Sequence, residues 1–131
     1  MKRLLFVVIM MTCSASYAEW EVYGTGDEFK SYVDLETIRK NGAIVKIWEL
    51  QNFAVIQRTT DGKKYKSSKI YVANDCKSEM RAITSLIAYE GEFGAEVVTY
   101  SVHVQEKDWT WNAIVPGSMG EGLWQIACGK K

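Results

Sequence analysis

The C-terminal stretch PGSMGEGLWQIACG, residues 116–129, decides the fold, because its pattern differs from that of the strands before it. Ser118 and Glu121 have the spacing of a helix capping box, and Gly129 is a typical helix stop. Apolar residues recur at helical intervals: Met119, Leu123, Ile126 and Ala127. Gly120 and Gly122 each cost about 1 kcal/mol relative to alanine, and a helix of about ten residues is marginal by itself. We therefore expect a short helix that needs an external fastening.

The N-terminus has the pattern of a secretory signal peptide. Lys2 and Arg3 precede an apolar run, residues 4–11, and Ser16 and Ala18 are the small residues that a signal peptidase requires. Eight apolar residues reach only about 12 Å as a helix, against about 30 Å of hydrocarbon, which argues against a membrane anchor. We predict a signal peptide over residues 1–18 and a single domain over residues 19–131.

Cys13 raises the alternative of a lipidated N-terminus. Met10, Met11 and Thr12 stand before it, and they are bulky where a lipidation site has small side chains. A conventional cleavage site follows. We therefore expect Cys13 to be removed with the leader.

The charge balance excludes one class of partner. Removal of Lys2 and Arg3 takes the 16 basic residues to 14 against 16 acidic ones, a net charge of −2. Nothing in this balance suggests nucleic acid. The chain also has no second apolar span and no internal repeat.

Only two cysteines, Cys76 and Cys128, remain after the leader. An even pair in an exported protein is most simply a disulfide, whereas redox catalysis usually shows a Cys-x-x-Cys pair. On the chain-entropy model, closing this loop of about 53 residues stabilises the fold by roughly 4 kcal/mol. His103 is the sole histidine, and with two cysteines it does not complete a usual set of four metal ligands. We expect no metal and no cofactor.

Short spacings between β-patterned segments predict about six antiparallel strands. The predicted segments are residues 19–24, 30–34, 43–56, 67–76, 80–89 and 95–104. In the third, the apolar residues change face between Ile47 and Trp48, which indicates a bulge or cover on both sides. Residues 80–89 fit a strand or a helix, and the neighbouring strands favour a strand. We therefore predict the α+β class, with a disulfide from Cys128 to Cys76 holding the helix against one face of the sheet.

Several short motifs occur in an order that resembles a known family. They are Tyr32-Val33-Asp34, Thr37-Ile38-Arg39, Val45, Trp48-Glu49-Leu50, Ser67-Ser68-Lys69, Asp75-Cys76, Trp111, Val115-Pro116-Gly117-Ser118 and Cys128. Over residues 20–128 the chain resembles the surface-adhesin protein E family of Gram-negative bacteria. The resemblance implies an antiparallel sheet with a disulfide-tied C-terminal helix. It also implies an adhesin on the outer surface that binds host matrix proteins such as vitronectin and laminin.

Five cations around a predicted turn form the first candidate binding site. They are Arg58, Lys63, Lys64, Lys66 and Lys69, with Asp61 as the one acidic residue among them. Such a cluster is able to attract sulfated glycans or acidic stretches of a matrix protein. The alternative is a solvated hairpin tip, or an edge that lysines protect from association.

The Trp109-Thr110-Trp111 motif is the second candidate. An exposed aromatic ring anchors a protein or glycan partner well, because it buries much area at a small entropy cost. A Trp-x-Trp pair at a strand edge more often places at least one ring in the core. The resemblance favours Trp111 as structural, which leaves Trp109 as the candidate anchor.

An enzyme is the competing class of function. Asp34, Glu49 and Asp75 are candidate carboxylates and Ser67 lies near Lys69, but no nucleophile elbow, histidine pair or phosphate loop positions a reaction. We expect a non-enzymatic protein, exported to the periplasm or the outer surface, with a protein partner; a dimer is compatible with the sequence. The alternative is a periplasmic accessory protein, an inhibitor or envelope assembly factor, with a bacterial partner.

Overall fold

The structure, a computed structural model, describes residues 19–129. The predicted leader, with its cleavage after Ala18 and the expected loss of Cys13, lies outside the described residues. The last two residues, 130 and 131, also lie outside them.

The described residues form eight β-strands and one α-helix. The strands are β1 (Glu21–Thr25), β2 (Phe29–Val33), β3 (Arg39–Asn41), β4 (Ile44–Arg58), β5 (Lys64–Asp75), β6 (Met80–Tyr89), β7 (Val98–His103) and β8 (Asn112–Ala113), and the helix is α1 (Met119–Cys128). One antiparallel sheet has the order β1-β2-β4-β5-β6-β7, which confirms the predicted six strands. Residues 80–89 are a strand, as predicted.

Two short strands were not predicted. β3 pairs with β4, and β8 pairs with β6. They have three and two residues, all exposed, and so lack the apolar alternation that marks a strand in sequence.

The change of face within β4 results from burial on both sides of the sheet. The register of β4 with β5 runs without a shift from Ile44 to Asn52 and shifts only between Asn52 and Gln57. Ile47 and Leu50 are both 0% exposed although they point to opposite faces of the strand. Of the two predicted explanations, cover on both sides is confirmed, and the irregularity in pairing lies further along the strand.

The C-terminal helix has the predicted caps. The Ser118 hydroxyl accepts a hydrogen bond from the Glu121 N–H at 3.2 Å, and Gly129 ends the helix at φ 65°, the left-handed conformation that glycine adopts without strain. Leu123 and Ala127 are buried against apolar side chains of the sheet: Val33, Val45, Ile47, Ile70 and Val72.

The disulfide fastens this helix as predicted. Cys76, which follows β5, and Cys128, in the last turn of α1, are joined with an S–S distance of 2.05 Å. The Trp124 indole N–H also donates to the Asp75 carbonyl at 3.0 Å, next to the disulfide. A covalent bond and a part-buried hydrogen bond thus hold the C-terminal half of the helix.

The strand register assigns each side chain to one of two faces. The helix side carries the apolar residues that contact α1. The opposite face, called here the helix-free face because α1 does not cover it, carries Tyr32, Trp48 and Leu50, together with Lys69 and Tyr71 on β5. A single 3-10 turn, Glu92–Gly94, packs over part of this face, with Phe93 against Tyr32 at 5.3 Å. No helix within residues 19–129 is long and apolar enough to cross a membrane.

Candidate binding surfaces

Three of the five predicted cations meet at the tip of the β4–β5 hairpin. Gly62 has φ 84° and donates its N–H to the Thr59 carbonyl at 3.0 Å, which closes the turn. Arg58 lies directly opposite Lys64 in the strand register, and Lys63 stands in the turn beside them. All three cations are exposed, so the tip presents them to solvent.

Two cations of the predicted cluster pair with carboxylates. Lys63 Nζ lies 3.7 Å from Asp61 Oδ2, and Lys66 Nζ lies 3.7 Å from Glu92 Oε1. The Thr59 hydroxyl, together with the Lys63 ammonium, holds the pKa of Asp61 below its usual range. Surface ion pairs of this kind contribute at most about 1 kcal/mol, so these lysines stay available to an anionic partner.

Lys69 lies away from the hairpin tip. It occupies the helix-free face opposite Leu50, and its Nζ is 5.3 Å from the ring centroid of Tyr89 and 5.8 Å from that of Trp20. The structure therefore separates Lys69 from the three cations of the hairpin tip, and it pairs the fifth cation, Lys66, with Glu92.

Trp109 lies half-buried over the helix-free face. Its indole N–H donates to the Val104 carbonyl at 3.0 Å, and its ring centroid is 4.9 Å from Lys46 Nζ. Trp111 is also half-buried and meets Trp109 edge to face at 5.8 Å. The two indoles pack against each other, and each keeps part of its surface exposed.

Sequence reasoning missed Lys46, Trp48 and Tyr71. Trp48 and Tyr71 form a stacked pair across β4 and β5, with centroids 4.7 Å apart and planes 15° from parallel. Lys46 Nζ lies 5.9 Å from the Tyr71 ring. The alternation in Lys46-x-Trp48 and in Lys69-x-Tyr71 signals that each motif shares a face. Only the pairing of the two strands shows that this face is the same one.

A buried polar cluster on the helix side was also missed. The Tyr23 phenol donates to Glu49 Oε2, and Arg81 Nη2 lies 3.8 Å from Glu49 Oε1, where the Glu49 side chain is only 4% exposed. Burial raises the pKa of Glu49, although the phenol and the guanidinium oppose this shift. Burial, followed by the charge of Glu49, raises the pKa of Tyr23. The cluster joins β1, β4 and β6 through polar contacts.

A groove of about 650 Å³ lies on the helix side, beyond the helix itself. Its lining includes three aromatic residues, Phe53, Tyr65 and Tyr100, and one of the predicted cations, Arg58. The volume is in the range of small-molecule sites. Arg58 thus borders both the groove and the hairpin tip.

The residues considered for catalysis have structural partners. Asp34 accepts a hydrogen bond from the Glu36 N–H, and Asp75 from the Ser78 N–H, each at 3.0 Å, so both cap turns. The Ser67 hydroxyl donates to a backbone carbonyl at 2.6 Å. Glu49, the third carboxyl group, belongs to the buried cluster described above. These groups do not converge on one site.

Solved structures with the same fold include protein E of Haemophilus influenzae. One crystal form superposes with a TM-score of 0.61 at 13% sequence identity, over 82% of this chain and 91% of that chain. Protein E from non-typeable Haemophilus influenzae gives a TM-score of 0.57 at 13% identity, over 88% of this chain and 79% of that chain. No curated protein sequence matches the chain. At this identity the likeness demonstrates a shared fold.

The family is established by sequence. The profile described as surface-adhesin protein E matches residues 20–129, which is nearly all of the described chain. The family's description is that of a surface adhesin, which indicates an exported binding protein. The protein belongs to the surface-adhesin protein E family.

Proposed function

We propose that this protein is an adhesin of the bacterial outer surface that binds host matrix proteins such as vitronectin and laminin. The family match over residues 20–129 carries the proposal. The exposed cations of the hairpin tip and the half-buried rings of the helix-free face support it, because cations and aromatic residues are common anchors of protein interfaces.

Direct binding tests the proposal. The exported, oxidised protein is applied to immobilised vitronectin and laminin, with a reduced sample beside it. We expect saturable binding of the oxidised protein and weaker binding of the reduced one, because reduction releases the helix from the sheet. Absence of binding to either matrix protein by the oxidised sample contradicts the proposal.

The predicted cation cluster is tested separately. Replacement of all five cations, Arg58, Lys63, Lys64, Lys66 and Lys69, by glutamine should abolish matrix retention of the folded protein. The substitutions remove charge at partly or fully exposed positions, so they should leave the fold intact. Unchanged retention of the folded variant excludes this cluster as the binding site.

Location separates the adhesin from a periplasmic accessory protein with a bacterial partner. A protease added to intact cells should remove a surface adhesin, whereas the outer membrane shields a periplasmic protein. We expect loss of the protein from intact cells, with a periplasmic enzyme as the control for membrane integrity. Full protection favours the periplasmic function.

A further inference from the structure

The strand positions of the helix-free face carry an excess of positive charge. Within the pairing registers of the described strands, four cations point to this face: Lys30 on β2, Arg39 on β3, Lys46 on β4 and Lys69 on β5. The one carboxylate at these positions is Asp75, at the end of β5, which accepts backbone hydrogen bonds at 3.0 Å and caps a turn. The charge of the face is therefore not balanced by acids on its own strands.

Two of these cations lie against aromatic rings. Lys46 Nζ is 4.9 Å from the Trp109 centroid and 5.9 Å from that of Tyr71, and Lys69 Nζ lies near Trp20 and Tyr89. Among residues 19–129, neither ammonium group forms an ion pair with a carboxylate. A ring stabilises a cation without neutralising its charge, so both lysines keep the ability to bind an anion.

The two lysines stand on either side of the stacked rings. Lys46 lies opposite Ala73, Trp48 opposite Tyr71, and Leu50 opposite Lys69. Lys46 and Lys69 are thus four register steps apart, about 13 Å at 3.3 Å per residue. The Trp48–Tyr71 pair is midway between them. The face therefore has a cation, a pair of rings and a second cation in sequence along the strands, and each of these side chains is half-buried.

This arrangement fits a chain of sugar rings that carries repeated anionic groups. Sulfates would bind the two ammonium groups, and the apolar C–H face of a sugar ring would contact the aromatic pair between them. Single-stranded nucleic acid uses cations and rings in a similar way. However, the chain has 16 basic and 16 acidic residues and a pI of about 6.6, whereas nucleic-acid-binding domains are typically basic.

We propose that the helix-free face binds a sulfated glycosaminoglycan of the extracellular matrix through Lys46, Lys69 and the Trp48–Tyr71 pair. The source of the glycan rests on the proposed function, because that function brings the protein to host matrix. Lys40 and Lys77 are exposed cations outside this face and outside the hairpin tip, so they offer a matched control within the same chain.

Heparin serves as the probe, and two double variants are compared. K46Q/K69Q removes two charges from the helix-free face, and K40Q/K77Q removes two from exposed positions outside both candidate surfaces. We expect the affinity of the exported, oxidised protein for heparin to fall roughly tenfold in K46Q/K69Q, since two ionic contacts are lost. The affinity of K40Q/K77Q should stay within about twofold of wild type. An equal loss in both variants, or a loss only in K40Q/K77Q, overturns the proposal.

A charge-conserving variant tests whether misfolding, rather than the loss of charge, causes the loss of heparin affinity. K46R/K69R should retain heparin binding, and the salt dependence of its affinity should match that of wild type. If K46Q/K69Q fails to fold, K46E alone is compared with K40E. A loss of heparin affinity in K46E that K40E does not show supports the proposal, and equal losses contradict it.

Two other polyanions test whether the site prefers sulfate groups. Hyaluronan, which has carboxylates but no sulfates, and an oligonucleotide of thymidines should each bind more weakly than heparin. Equal or tighter binding of either one overturns the assignment to a sulfated glycan. Absence of heparin binding by the wild-type protein also overturns it. If the wild-type protein binds vitronectin or laminin but not heparin, the proposed adhesin function stands and only the glycan site is rejected.

Discussion

At the scale of a single residue, Glu49 has the most demanding environment of the polar cluster. Its side chain is 4% exposed, and Tyr23 and Arg81 are its polar partners. An ion pair at 3.8 Å to a guanidinium that is itself 26% exposed does not compensate for the loss of water around the carboxylate. Burial therefore raises the pKa of Glu49 above its ordinary value of 4.5.

This shift predicts a pH dependence of stability with a definite sign. The folded state retains a proton on Glu49 that the unfolded state releases, so the free energy of unfolding should fall as the pH rises above about 4.5. Asp61 and Asp75, whose pKa values are lowered, act in the opposite direction and below their ordinary value of 3.8. Their effect is therefore centred at lower pH than that of Glu49.

Glu49→Gln should remove the fall in the free energy of unfolding above about pH 4.5. Urea unfolding of the wild-type protein and the variant, at pH values from about 4 to about 8, measures how this free energy changes with pH in each protein. Glu106→Gln removes a carboxylate at an exposed position and should leave the slope as in wild type. A decline of the same size in Glu49→Gln would show that another group causes it.

At the scale of an element, α1 contains two glycines with different surroundings. A Cβ atom at Gly122 would meet only Tyr23 Cδ2, at 3.9 Å, an ordinary van der Waals distance. A Cβ atom at Gly120 would lie 2.8 Å from Arg81 Nη1 and would displace the guanidinium that faces Glu49. The helix stability lost to glycine is therefore recoverable at Gly122. At Gly120 the missing side chain leaves room for Arg81, which belongs to the buried polar cluster.

Gly122→Ala should raise the free energy of unfolding by about 1 kcal/mol, because alanine restricts the unfolded chain and fits the helix. Gly120→Ala should gain less or should lose stability, since Arg81 must move. Urea unfolding at neutral pH compares the two variants directly. Equal gains would show that the Arg81 guanidinium adjusts freely and that Gly120 has no packing role.

At the scale of the whole molecule, the disulfide links the C-terminal helix to the sheet. It joins residues 52 positions apart and places α1 over the apolar side chains of β2, β4 and β5. A long antiparallel register between β4 and β5 and another between β5 and β6 hold the sheet independently of that bond. Loss of the disulfide should therefore affect the helix more than the central strands.

Cys128→Ser should free the tail and leave most of the sheet. The chain-entropy model gives a loss of about 4 kcal/mol in the free energy of unfolding. Hydrogen exchange should show faster exchange in α1 and persistent protection in β4 and β5. The C76S/C128S double variant controls for the free thiol that the single variant leaves. A tail as protected in the variants as in wild type would contradict the prediction.

Most of the elements were predictable because their signals are local. The Ser118–Glu121 cap, Gly129 and the helical spacing of Leu123 and Ala127 lie within one stretch of fourteen residues, and the structure confirms each of them. The period-two pattern likewise indicated most of the six main strands, and for residues 80–89 the neighbouring strands decided between strand and helix. β3 and β8 lacked that pattern and were missed, because their pairing depends on the neighbouring strand.

The sequence by itself determined the helix, the main strands, the Cys76–Cys128 bond and the family. The tertiary structure alone decided which distant residues share a surface. Lys46 and Lys69 are 23 positions apart, yet the register of β4 with β5 places them on one face with Trp48 and Tyr71 between them. The same register places Glu49 on the helix side, where it is buried. Periodicity reports how side chains alternate within a strand, whereas a shared surface depends on pairing between strands, which no local pattern encodes.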